Sequence, residues 1–219
     1  LKTIFKENPL VTAVGTSSFL PGIGMGSRPL SADNGTSKAS QFVHYGSIDY
    51  DFLETMEITL VEGRNFSIEY TNDVNQNILV NEAMVKNFGL KNPVGEKVRF
   101  GDEGNPNFKT IIGVVKDFHQ STLHQPIAAQ MFTLVPANYE IAVKIDEDIP
   151  TAIAHLERSW ATIFPNTTFD YQFLADDLQS AYETDQIRGN IFGGQSSSSV
   201  NGAIDMNGSR DAIIYNNLI

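Results

Sequence analysis

The chain has 219 residues, 41% of them hydrophobic and 19% charged, which suits one large packed domain or two small ones and rules out wholesale disorder. A formal net charge of −11 lacks the basic footprint that nucleic acid or an anionic lipid surface requires. There is no cysteine, which excludes disulfides, thiolate metal sites and cysteine nucleophiles, and no apolar run reaches the roughly 20 residues that cross a bilayer as a helix.

Leu1, Ile4 and Phe5 fall at helical spacing, and Pro9 stops that pattern. Val11-Thr-Ala-Val14 reads as a strand. Residues 15–40 are small, polar or turn-forming and read as loop. Residues 41–49 read as a strand anchored by Phe42 and Tyr45, followed by a short helix over 50–56. Ile58-Thr-Leu-Val-Glu-Gly63 leads to a turn at Gly63, beside which Arg64 is expected to pair with a carboxylate. Residues 76–80 read as a strand. Asn81 is placed to cap the next helix, Glu82 favours its first turn, Met84 and Phe88 share a face, and Gly89 closes it. After a turn at Pro93-Val-Gly95, residues 97–100 and 109–115 read as paired strands around a polar loop.

Residues 139–173 form the clearest unit. Ile141, Val143 and Ile145 alternate along a strand. Ile153, Leu156, Trp160 and Ile163 form one helical stripe between Pro150 and Pro165, and Trp160 is expected in the core. Phe169, Tyr171 and Phe173 alternate on a second strand. A strand–helix–strand order with short connections makes the two strands parallel, either adjacent or split by a third strand. Residues 176–188 read as a helix with an aspartate cap. Gly193-Gly-Gln-Ser-Ser-Ser-Ser199 reads as a flexible linker. Asp211-Ala-Ile-Ile-Tyr-Asn-Asn-Leu218 could be a strand or part of an unstructured tail.

The chemistry-bearing residues do not assemble into a motif. Gly22-Ile-Gly-Met-Gly26 lacks the Lys-Ser/Thr ending of a phosphate loop, and Asp102 and Glu103 lack the spaced oxygen ligands of a calcium loop. His119 and His124, beside Asp117, would need a third ligand from elsewhere to hold a metal. His119 is better read as fixing a turn, and His155 as a surface residue of a helix. There is no Gly-x-Ser-x-Gly elbow and no Walker A sequence. Asp146/Asp148 and Asp176/Asp177 sit beside helix starts, where capping explains them. The sequence therefore supplies no catalytic, cofactor-binding or metal-binding residue.

Four segments in order carry a resemblance. They are Asp51-Phe-Leu-Glu-Thr-Met-Glu-Ile-Thr-Leu-Val-Glu-Gly-Arg-Asn-Phe66, Ile78-Leu-Val-Asn-Glu-Ala-Met-Val-Lys-Asn-Phe-Gly89, Pro93-Val-Gly-Glu-Lys97, and Lys109-Thr-Ile-Ile-Gly-Val-Val-Lys-Asp-Phe-His119 with the Gln-Ser-Thr-Leu-His-Gln-Pro126 that follows. Together they resemble the periplasmic core domain of MacB-like, FtsX-like ABC transporter permeases. The resemblance implies an α+β fold of two lobes: a porter-like βαβ lobe from residues 1–40 and 134–192, and an inserted sabre-like lobe from 41–133. Residues 193–202 would be a linker and 203–219 a tail able to add a strand. It also implies a non-enzymatic part of an inner-membrane protein, standing in the periplasm between two membrane helices and carrying ATP-driven motion outward. The partners implied are an ABC ATPase subunit, reached through the full-length permease, and a periplasmic adaptor or second permease copy; no cofactor and no nucleic acid are implied. The readings that compete with it are a free-standing periplasmic ligand-binding or sensor domain and an acidic hydrolase.

Overall fold

The computed structural model describes residues 1–20, 25–32, 41–100, 107–118, 126–146, 148–174 and 212–217. In chain order the elements are α1 (Lys2–Phe5), β1 (Val11–Ser17), β2 (Gly26–Ala32), β3 (Gln41–Ile48), α2 (Phe52–Thr55), β4 (Leu60–Gly63), β5 (Asn77–Asn81), α3 (Glu82–Asn87), β6 (Lys97–Phe100), β7 (Asn107–Val115), β8 (Gln130–Leu134), β9 (Glu140–Ile145), α4 (Ile149–Ile163), β10 (Gln172–Phe173) and β11 (Ala212–Asn217). The architecture is mixed α/β with few helices.

All the strands join one hydrogen-bonded network, which has two parts. Strands β3, β2, β6, β7, β5 and β8 follow one another, and a parallel β3–β8 pairing (His44↔Gln130 to Ile48↔Leu134) closes them into a ring. A closed ring leaves no open edge among its members. Leu30, Val43, Ile78, Val80, Val98, Ile111 and Met131 cluster with Met84 and Phe88 of the α3 region, so the helix packs into the same core. Asn81 caps α3 by accepting from the Met84 amide at 3.0 Å, which satisfies one of the helix's orphan donors. Lys109 is buried against this core, and burial holds its ammonium below the ordinary lysine range; its Nζ donates to the Asn75 carbonyl.

The second part is the row β10-β11-β9-β1. Strand β9 runs antiparallel to β1 on one side and to β11 on the other. Strand β10 is antiparallel to β11, so β9 and β10 are parallel and α4 links them across β11. This is a split strand–helix–strand unit. Asp148 caps α4 by accepting from the Thr151 amide, and Pro150 sits in the first turn, where its missing N–H costs nothing. The stripe Ala152, Leu156, Ser159 and Trp160 is buried, and with Phe5 of α1 it covers one face of β1 and β9. Deleting residues 203–219 removes β11 and with it the strand between β9 and β10. The expected result is a lower thermal midpoint by circular dichroism; an unchanged midpoint would show that the row is stable without β11.

Three expectations from the sequence are corrected. Residues 15–40 are not loop throughout, because β1 runs on to Ser17 and Gly26–Ala32 is β2, held between β3 and β6. Phe42 is no core anchor: it is 75% exposed, whereas its neighbour Val43 is fully buried. The strand expected over 169–173 shrinks to Gln172–Phe173, with Phe169 and Tyr171 packed on the α4 core just before it. Residues 119, 124, 102 and 103 lie outside the described residues, as do the helix expected over 176–188 with Asp176 and Asp177, most of the glycine cluster and the linker.

Candidate functional site

The two parts of the network meet at a junction, where a buried carboxylate gathers donors from several elements. Strand β1 leaves the row and bridges to β3 of the ring at Ser17↔Ile48. Asp49, which follows β3, is buried and gathers three elements. Its carboxylate accepts from Thr16 Oγ1 of β1 at 3.0 Å, from Lys2 Nζ of α1 at 2.6 Å and from the Asp51 amide at 3.2 Å. Lys2 also pairs with Asp51, at the start of α2. A buried carboxylate with this many donors is compensated, and removing any of them leaves charge or dipole uncovered.

Helix α2 is wedged into the same corner. Phe52 and Leu53 enter a core shared by Phe19, Leu20, Ile48, Phe132 and Ala142, which belong to both parts. Gly15 is where α2 lies on β1: a Cβ there would stand 2.7 Å from Phe52 Cα and 2.9 Å from Thr55 Oγ1. The obstacle is mostly backbone, so it cannot swing aside. Gly15→Ala is expected to destabilise by about 1–3 kcal/mol, read as a lower urea midpoint at unchanged slope. No loss would mean that α2 is free to slide on the sheet. On the far side of α2, Glu57 adopts a positive φ of 53° and pairs with Lys144 of β9. Across the ring–row connection, Ser47 Oγ donates to Asn138 Oδ1 at 2.6 Å and Tyr139 Oη donates to the Ser18 carbonyl at 3.0 Å. Glu140 is buried here, and burial pushes its carboxyl above the ordinary glutamate range.

The second polar centre is at Arg64, whose expected carboxylate partner is Asp73. The guanidinium makes two bonds to Asp73, 2.7 Å from Nη1 to Oδ2 and 2.8 Å from Nη2 to Oδ1. The turn that aims Arg64 is made by Gly63, at φ +77°, where a Cβ would lie 2.2 Å from the Ile112 carbonyl oxygen. Burial alone would raise the Asp73 carboxyl, but bonds from Arg64, Asn77 and the Ser67 amide outweigh it and hold it below the ordinary aspartate range.

The other candidate residues fall into structural places. Asp117 Oδ1 accepts from the Ala83 amide in the first turn of α3 at 2.9 Å. The His155 ring shares a contact with the Ile4 carbonyl at 3.3 Å and so ties α4 to α1. Trp160 is 1% exposed and lies in the core. Among the described residues no three His, Cys, Asp or Glu side chains gather to hold a metal, and no helix is long and apolar enough to cross a membrane. The sequence reading found Arg64 but missed Lys2, Asp49, Gly15 and the Glu57–Lys144 pair. Lys2 and Asp49 are 47 residues apart, and no local spacing announces them.

The model of one family, described as the MacB-like periplasmic core domain, matches residues 2–159. Among solved structures, the chain is similar to the periplasmic region of MacB from Actinobacillus actinomycetemcomitans (TM-score 0.55, 17% identity, 88% of this chain and 82% of that one). It is also similar to a domain of a putative permease protein from Porphyromonas gingivalis (TM-score 0.54, 14% identity, 74% of each chain). A third likeness is to the extracellular domain of the noncanonic ABC-type transporter YknZ from Gram-positive bacteria (TM-score 0.51, 14% identity, 74% of this chain and 79% of that one). No curated protein matches. At these identities the solved structures support the fold, and the family match carries the kinship.

Proposed function

The chain belongs to the MacB-like periplasmic core domain family, and from that premise we propose that it is a rigid lever of an ABC transporter permease rather than a site of chemistry. It stands in the periplasm as part of an inner-membrane transporter. In this reading an ABC ATPase on the cytoplasmic side moves the membrane helices, and the domain carries that movement outward to an adaptor or a second permease copy. In this reading the ring is one lobe and the row with α1 and α4 is the other, so β2, which the resemblance counts with the porter-like lobe of residues 1–40, goes with the ring, where it lies between β3 and β6.

The observation that carries the reading is the junction. A lever must not bend where its parts join. Here the join is a shared core, a helix seated on Gly15, and ion pairs from Lys2 and Lys144 reaching across to the α2 corner. Relative motion is the default between domains unless the interface joining them is large and apolar, and here Phe19, Leu20, Ile48, Phe52, Phe132 and Ala142 make one buried cluster across the join.

The test uses the full-length permease with its ATPase in lipid nanodiscs. Spin labels at the exposed Lys91 and Glu157 report the distance across the junction by electron–electron resonance. A second pair, one label on the domain and one on the membrane helix next to it, reports the domain's motion. Trapping the ATPase with vanadate should move the second distance and leave the first unchanged. A change in the first distance would make the domain a hinge, and no change in the second would end the lever proposal.

A further inference from the structure

Residues 66–76, with one turn of 3-10 helix at Thr71–Asp73, form a surface loop with its own internal support. Asp73, with 0% exposure, holds it from beneath: its carboxylate accepts from Arg64, from the Ser67 amide at 3.0 Å and from Asn77 Nδ2 at 2.6 Å. The Asp73 amide donates to the Tyr70 carbonyl at 3.0 Å, and the Gln76 amide to the Asn72 carbonyl at 2.9 Å. Asn65 Nδ2 ties the loop's entry to the Tyr50 carbonyl at 3.1 Å, and Lys109 ties its exit to the Asn75 carbonyl. Phe66 plugs the core below. Such a loop has little conformational freedom left to lose on contact.

What this support displays is apolar. Ile68 is 81% exposed, Tyr70 50% and Val74 39%. The Arg64 guanidinium lies 4.0 Å from the centre of the Tyr70 ring and steadies it. Tyrosine and arginine are enriched among the residues that anchor protein contacts.

Charge decides among the occupants. At the loop itself both cations are engaged: Arg64 pairs with Asp73, and the buried Lys109 donates to the Asn75 carbonyl. Glu69 is exposed between Ile68 and Tyr70 in the sequence, and Glu62 is exposed on β4, two residues before Arg64. An anionic lipid surface would be repelled, and so would the same face of a second copy. A protein pocket that is apolar inside and rimmed by lysine or arginine would not.

We propose that residues 66–76 are a docking surface for a separate protein that presents an apolar pocket with a basic rim. This rests on the lever reading, since a lever needs something to push, and it names the point of contact.

The experiment places a photoreactive phenylalanine analogue at Tyr70 of the full-length permease in its own membranes. The crosslinked product is identified, and the purified partner is then titrated against the domain. Support requires one partner protein whose crosslinked peptide carries lysine or arginine beside apolar residues. Its affinity should fall about tenfold or more for Ile68→Ser, a substitution at an exposed site that leaves the melting curve in place, and should fall again as salt rises from about 50 to 300 mM. Crosslinks to lipid alone, to a second copy alone, or to nothing would overturn the proposal, as would binding indifferent to Ile68→Ser. The spin-label distances across the junction do not depend on this loop, so the lever and the docking surface can fail separately.

Discussion

Trp160→Ala is expected to destabilise the domain by about 3–5 kcal/mol, the range for removing a large aromatic side chain from a core that cannot collapse around the gap. Trp160 is 1% exposed. Its ring lies 4.7 Å from Phe164 and 6.0 Å from Phe169, so the hole would open in an aromatic cluster of fixed geometry. Its Nε1 also donates to the Thr167 carbonyl at 3.1 Å, and this bond folds the segment after α4 back onto the helix. Trp160→Phe keeps most of the volume and loses only that bond, so it should cost far less. Trp160 is the chain's single tryptophan. Its fluorescence in the parent protein therefore reports this one site, and its red shift in denaturant should coincide with the loss of circular dichroism. A midpoint for Trp160→Ala within about 1 kcal/mol of the parent would mean that α4 is not packed on β9 and β1 as described.

The contrast between α4 and β2 shows what the sequence makes legible. In α4 the apolar period, the aspartate cap and the flanking prolines all act within one helix, so local reading suffices. β2, Gly-Ser-Arg-Pro-Leu-Ser-Ala, has the composition of a loop. It is a strand because β3 and β6 lie on either side of it and supply partners for its backbone, a fact held by residues elsewhere in the chain. Phe42 misled for a related reason. Hydrophobicity says that a side chain would gain from burial, but the parity of β3 puts Val43 inside and leaves Phe42 outside. The same limit applies to the polar centres. Arg64 is legible as a cation that needs an acid, because Gly63 marks the turn that aims it, yet nothing local selects Asp73 from its acidic neighbours. The Lys2–Asp49 contact, on which the junction depends, is invisible until the fold brings α1 to the end of β3.

Asp73→Ala carries the second large effect. Arg64 has an exposed flank, but Asp73 is fully buried, and four donor groups converge on it. Removing the carboxylate leaves the Asn77 amide and the Ser67 N–H without an acceptor and the guanidinium without its counter-charge. Breaking such a pair costs about 3 kcal/mol or somewhat more. Asp73→Asn keeps the shape but donates where Arg64 also donates, so it should recover little. The pH dependence has a definite sign. The Asp73 carboxyl is held below its ordinary value of 3.8, so its stabilisation is complete above that pH and is lost as pH falls below it through the folded value. The parent protein should therefore lose stability more steeply on acidification than Asp73→Ala, with the two midpoints converging at the acid end. A constant gap between them down to the lowest pH at which both fold would mean that the carboxylate's charge is not what holds the loop. Because the same carboxylate shapes residues 66–76, Asp73→Ala should also raise amide hydrogen exchange across that loop while α4 stays protected. Uniform loss of protection would make Asp73 a support of the whole fold rather than of the surface that displays Ile68 and Tyr70.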